Sequence, residues 1–284
     1  MKRIENKIFD EERALYGSTD ISVVGCRFEG EADGESALKE CRNVMAENCF
    51  FALRYPFWHN EKLHITNTEL AESCRAPLWY SSEIIIENTK MLGVKALREC
   101  KNVAIADCNI KSTEFGWFCN GVKIADTNAE GEYFMLRSSG LDFKGFTLNG
   151  KYSFQYITDA VFENCVFDTK DAFWHAKNVT VRNSVVNGEY LAWYAENITF
   201  ENCKISGTQP FCYCSGLKLI NCEMTGADFS FEKSDVEATL TTPVISIKNP
   251  RSGFIKLPYA EEIIRDSADS VCEIIETEKS AVMV

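Results

Sequence analysis

Seven five-residue words hold most of the side chains with chemical capacity: Tyr55-Pro-Phe-Trp-His59, Glu114-Phe-Gly-Trp-Phe118, Tyr133-Phe-Met-Leu-Arg137, Tyr152-Ser-Phe-Gln-Tyr156, Asp171-Ala-Phe-Trp-His175, Tyr190-Leu-Ala-Trp-Tyr194 and Gln209-Pro-Phe-Cys-Tyr213. Asp171 and His175 are the candidate acid and base. Arg137 is placed to hold an anionic or hydroxyl group. Tyr133, Tyr152, Phe154, Tyr156, Phe173, Tyr190 and Tyr194 are the candidate platform. Aromatic rings stack on the apolar C–H faces of sugars while polar neighbours bind the hydroxyls. The expected chemistry is therefore glycan binding, with acid–base turnover if Asp171 or His175 reacts.

Other chemistries find less support. There is no Gly-rich phosphate loop, HExxH or Ser nucleophile elbow. Histidine supplies only His59, His64 and His175. Thirteen cysteines suggest metal ligands until they are indexed against the repeat described below. Cys212–Cys214 is the strongest metal motif, but it lacks the second ligand pair of a structural zinc site. No metal and no cofactor is expected. The net charge of −12 disfavours nucleic acid and anionic membranes as partners. No apolar run is long enough to cross a membrane as a helix. The N-terminus carries no secretory-type apolar stretch, so a cytoplasmic location with reduced thiols is expected.

These words must be positioned by a repeat. NITFENCKI at 197–205, NVTVRNSVV at 178–186 and VAIADCNI at 103–110 share one pattern. Its marker is the residue before the Cys, Ser or Thr: Gly25, Asn48, Asn67, Asn88, Asp107, Asp126, Gly145, Asn164, Asn183, Asn202 and Asn221. From Asn88 onward each step is 19 residues, and the earlier steps are 23, 19 and 21. Every marker is Asn, Asp or Gly, types that tolerate a left-handed backbone, so the marker is a bend. Apolar residues alternate on both sides of it, as Ile198 and Phe200 do before Asn202, which predicts two short strands. A third strand, carrying the aromatic words, ends in small residues such as Cys100, Cys119, Ala176, Ala195 and Cys214. A second bend follows at Asn43, Asn102, Gly121, Gly140, Asp159, Asn178, Asn197 and Gly216, a column that Lys62 and Glu83 break.

One such coil cannot bury its own apolar face, but stacked coils can. The spacing predicts an all-β fold: a single-stranded right-handed parallel β-helix of about ten coils over residues 1–240, with an N-terminal cap near 1–20 and a C-terminal capping segment, 241–284. That last segment is alternatively a partner-binding tail. Tyr259–Ala268 is expected to form a short helix. An α-solenoid needs longer periods and helical spacing, and the leucines of a leucine-rich repeat are missing. Ten of the thirteen cysteines fall in two periodic columns and are expected to be stacked core residues. If the third strand alternates regularly, the second and fourth letters of each word face inward. Trp58, Trp117, Trp174 and Trp193 are then core, and the first, third and fifth letters form an aromatic strip. Lys39 and Arg98 fall in the inward column, and a bulge there would display the tryptophans instead.

The coil rhythm, the Asn bends and the three strands over residues 20–240 resemble the pectin-lyase-like superfamily of right-handed β-helices. The words GESALKEC (34–41) and RYPFWHNEKL (54–63) resemble, more narrowly, a bacterial family of small cytoplasmic β-helix proteins with no assigned function. The superfamily resemblance implies polysaccharide bound along one parallel sheet. Its catalytic signatures do not transfer: there is no calcium-binding carboxylate cluster, and Asp171 is the only Asp of the strip. Asp171 and His175 are about 13 Å apart along a strand, so they are no hydrogen-bonded dyad. Glu99 and Glu114, on adjacent coils, lie at opposite ends of the strand, beyond the roughly 5–9.5 Å of glycosidase pairs. The expected function is a carbohydrate-binding or carbohydrate-active protein with an oligosaccharide partner. The alternative is a non-catalytic assembly protein forming a homo-oligomer through the aromatic face or the C-terminal segment.

Overall fold

The computed structural model describes residues 1–278. It is an all-β parallel solenoid of about 14 turns of about 19 residues, with no helix among the described residues. The chain divides into two compact units, Met1–Thr147 and Leu148–Val284. Both are built from the same coil.

Each coil contributes a long strand, the marker bend, a short strand and an irregular third segment. In the first unit Lys101–Ala106 pairs in register with Asn120–Ala125, setting Val103 against Val122 and Ile105 against Ile124. In the second, Lys177–Arg182 pairs with Glu196–Glu201, setting Val179 against Ile198 and Val181 against Phe200. These apolar pairs are buried, as the period-2 pattern predicts. Outward residues form ion pairs from coil to coil, such as Lys177–Glu196 at 2.9 Å and Arg182–Glu201 at 3.1 Å. Exposed pairs of this kind add little stability, but a one-residue slip would turn every one of them inward.

The marker residues are left-handed: Asn88, Asp107, Asp126, Asn164, Asn183 and Asn202 have φ between 45° and 54°. Lys62 and Glu83, which break the second column by type, keep its geometry at φ 59° and 56°. The small residue after each marker links two coils. Thr127 Oγ1 accepts the Cys108 amide at 3.1 Å, and Ser184 Oγ accepts the Cys165 amide at 3.0 Å. Thiols donate to the preceding coil instead, as Cys203 does to the Val181 carbonyl at 3.4 Å and Cys100 to that of Leu78 at 3.2 Å. All thirteen cysteines are free and buried. Burial pushes the Cys212 and Cys214 thiols up to about 12, so both stay protonated.

Two expectations need correction. The coils number more than ten because they continue at both ends. Lys2–Glu5 pairs with Thr19–Val24, and Asp235–Leu240 pairs with Ser252–Leu257, which pairs with Glu273–Glu276. The helix expected at 259–268 is instead a strand, Ala260–Ile264, paired with Val244–Lys248. The final residues of the expected cap, 279–284, lie outside the described residues.

The third segment is not a regular strand. In the second unit the first, third and fifth letters of each word are left-handed: Tyr152, Phe154 and Tyr156 at 61°, 60° and 57°, and Asp171, Phe173 and His175 at 55°, 61° and 55°. Intervening residues are not. In a β-strand amides two residues apart point to the same edge; here the third letter's amide points opposite to those of the first and fifth. The Tyr152 and Tyr156 amides donate forward, to the carbonyls of Lys170 and Trp174, while the Phe173 amide donates back to Ser153. In the first coils the third letter is not left-handed, and its amide donates forward, as in Phe57 to Pro77. The change comes at Gly116 (φ 76°), whose amide turns back to Leu97. A Cβ on Gly116 would meet the Met135 thioether, so a larger residue there would have to displace that flexible side chain.

Candidate functional site

The aromatic face of the second unit grows directly from this backbone. The left-handed fifth letter points its side chain outward at the same place in each coil, and successive rings stack. Tyr156 and His175 have centroids 4.7 Å apart, His175 and Tyr194 5.0 Å, and Tyr194 and Tyr213 4.8 Å, with interplanar angles of 8°, 7° and 9°. Tyr156 and Tyr194 are 40% and 42% exposed, and His175 and Tyr213 are half-buried. Because each ring covers its neighbours' faces, this ladder presents edges, hydroxyls and imidazole nitrogens outward. Tyr213 closes it and is a member that the sequence reading did not select, although it holds the same fifth-letter place. Burial and the nearby Glu232 raise its pKa.

The fourth letters make a second ladder beside the first. Trp174 and Trp193 stack at 5.4 Å and 4°. Their indole N–H groups donate to the Tyr190 and Gln209 carbonyls of the next coil, at 2.6 and 2.7 Å. Gln155 Nε2 does the same to the Asp171 carbonyl at 3.1 Å. These tryptophans are half-buried, not core, because their polar edge reaches along the coil axis to a backbone carbonyl.

The expected parity therefore fails in both its forms. The second and third letters are buried, the fourth is half-buried except for the buried Cys212, and the fifth is outward. Phe154 and Phe173, expected as exposed platform residues, are completely buried and stack on each other at 5.1 Å. Asp171 is buried too, and its pKa is raised by desolvation, with Lys170 opposing and Glu189 reinforcing. Lys170 pairs with Glu189 at 2.8 Å and lies 5.1 Å from the Tyr190 ring. Tyr152 and Tyr190 are half-buried. Asp171 and His175 make no hydrogen bond to each other: one lies below the surface, the other between two tyrosine rings. Arg137 and Tyr133 are exposed and belong to the first unit, where the Trp117 indole donates to the Tyr133 carbonyl at 2.7 Å. No group of three or more His, Cys, Asp or Glu side chains able to hold a metal ion occurs among the described residues.

The sequence matches a family model described as protein of unknown function (DUF3737) over residues 2–276. The chain belongs to the DUF3737 family. No curated protein matches it in sequence. Among solved structures, the A-module of the Azotobacter vinelandii mannuronan C-5 epimerase AlgE4 is 10% identical, with 96% of this chain and 85% of that one covered and a TM-score of 0.31. The Streptococcus pneumoniae surface adhesin PfbA is 11% identical, covering 88% and 74% at a TM-score of 0.34. Tailspike protein 3 of bacteriophage CBA120 is 8% identical, covering 97% and 56% at a TM-score of 0.34. Similarities of this size say nothing about what the DUF3737 chain binds.

Proposed function

We propose that the protein is a carbohydrate-binding solenoid without catalytic machinery, engaging a polyhydroxylated chain along the Tyr156–His175–Tyr194–Tyr213 ladder. The observation that carries this reading is the ladder itself: four ring edges with polar tips, repeated once per coil at 4.7 to 5.0 Å. A ligand running along the coil axis meets one hydrogen-bonding tip at each step. A chain of sugar rings offers hydroxyls at that density. Turnover has less support, because Asp171 is buried and His175 is held between two rings.

The test is a glycan panel against the full chain, followed by titration of any hit. Tyr194→Phe and Tyr213→Phe remove only the hydroxyls and leave the stack intact. Together they are expected to weaken binding about tenfold, the loss of two hydrogen bonds. Wild-type affinity in that double variant, or no hit from the panel, would sink the reading. Self-association that Tyr194→Ala abolishes would instead make the ladder an interface between copies.

A further inference from the structure

We propose a second ligand site on the first unit: the groove along its marker bend, shaped for a neutral oligosaccharide lying parallel to the coil axis. The proposal shares its ligand class with the ladder reading but rests on none of its residues.

The groove encloses about 820 Å³ and runs from Gly25 to Asp126. Its floor is the marker column. One wall is the outward side of the short strands, which places Arg27, Phe50, Glu69, Lys90, Asn109 and Asn128 in successive coils. The groove exists because each left-handed marker turns the long strand sharply into the short one, leaving a re-entrant corner that repeats in register.

This corner concentrates exposed polar side chains that bond to no other side chain among the described residues. In the second unit the last three marker amides bond from coil to coil: Asn202 donates to Asn183 at 3.3 Å and Asn221 to Asn202 at 2.9 Å, while Asn164 makes no such bond among the described residues. The outward short-strand residues there include Val166 and Val185. In the first unit Asn88 donates to Asn67 and the ladder then stops. Asp107 and Asp126 cannot donate, and with Asn109 and Asn128 they make no side-chain hydrogen bond or ion pair among the described residues. Four exposed polar side chains on two consecutive coils thus face one groove, open to a ligand that exchanges their water for hydroxyls.

The chemistry selects the ligand. The groove's cations are already engaged, Arg27 with Glu29 and Lys90 with Glu69, the latter at 3.7 Å. Two uncompensated carboxylates remain, in a chain of net charge −12, so a phosphorylated or uronate polymer would be repelled. An extended peptide repeats its backbone groups on one side about every 6.6 Å, whereas coils recur about every 4.8 Å, so contacts fall out of step. Sugar hydroxyls donate to carboxylates and both donate to and accept from amides. Phe50, half-buried with the Arg27 guanidinium 4.3 Å over its ring, supplies an apolar surface at one end.

The experiment is calorimetric titration of the full chain with cellohexaose, laminarihexaose and maltohexaose, at low and high salt. One of the three is expected to bind with an affinity that salt leaves unchanged. The double variant Asn109→Ala, Asn128→Ala is expected to weaken it about tenfold, while Tyr194→Phe leaves that event unaltered. Both asparagine side chains are exposed and unbonded, so the double variant should unfold at the wild-type denaturant midpoint. Failure of all three sugars to bind overturns the proposal. So does wild-type affinity in the double variant, strong salt dependence, or loss of binding with Tyr194→Phe alone; the last would assign the ligand to the ladder.

Discussion

The two units use one coil in opposite ways. In Leu148–Val284 the outer columns satisfy themselves: tyrosine and histidine rings cover one another, and Asn183, Asn202 and Asn221 pass hydrogen bonds from coil to coil. In Met1–Thr147 the same columns are interrupted. Trp58 and Trp79 stack at 5.0 Å, but the next fourth letter is Arg98, whose guanidinium lies 5.1 Å from Trp79 and 5.5 Å from Trp117. A cation thus occupies the place of a ring, attracted by indole faces on both sides. The marker ladder of this unit likewise gives way to Asp107 and Asp126. The difference teaches that the coil fixes where side chains meet, while residue identity decides whether they consume or display their bonding capacity.

Five substitutions, in three comparisons, probe this contrast. The largest effect is expected inside the second unit. Phe173→Ala removes a fully buried ring and should cost about 3–5 kcal/mol in urea unfolding. Tyr194→Ala, on the outer ladder, should cost about 1 kcal/mol. Equal losses would mean that the ladder is core and the inside–outside distinction is misplaced. Next, Asn202→Ala breaks two amide bonds and places alanine at a left-handed φ of 52°, so about 1–2 kcal/mol should be lost. Asn109→Ala in the first unit should be neutral within about 0.5 kcal/mol. A comparable cost at Asn109 would show that its amide is already engaged. A small change is also expected from Arg98→Trp, which restores the interrupted column. Trp79 and Trp117 each donate to the carbonyl sixteen residues on, at Lys95 and Tyr133. The new indole would reach Glu114 in the same way, and stability should stay within about 1 kcal/mol of wild type. A loss of several kcal/mol would show that the cation, not the ring, holds the column.

Much of the architecture was legible because a bend and a small linking residue each leave a chemical trace. Asn, Asp or Gly marks the left-handed corner, and Cys, Ser or Thr follows wherever a buried side chain must bond to the neighbouring coil. The C-terminal coils were illegible because their steps shorten, Asp235 facing Ser252 and Val244 facing Ala260, and Pro243, Pro250 and Pro258 mask the alternation.

The orientation of the aromatic words was decided by the tertiary structure alone. A left-handed tyrosine, phenylalanine or histidine is disfavoured by roughly 1–2 kcal/mol, so nothing local predicts three in one five-residue word. They persist because amides and carbonyls of adjacent coils fix the alternation from above and below. That alternation buries Phe154 and Phe173 and turns Tyr156, His175, Tyr194 and Tyr213 outward. The sequence by itself determined the period, the corners and the stacking columns, since each rests on residue type at a fixed interval. Which rings face water, and which amides lack partners, depends on contacts between residues a full coil apart.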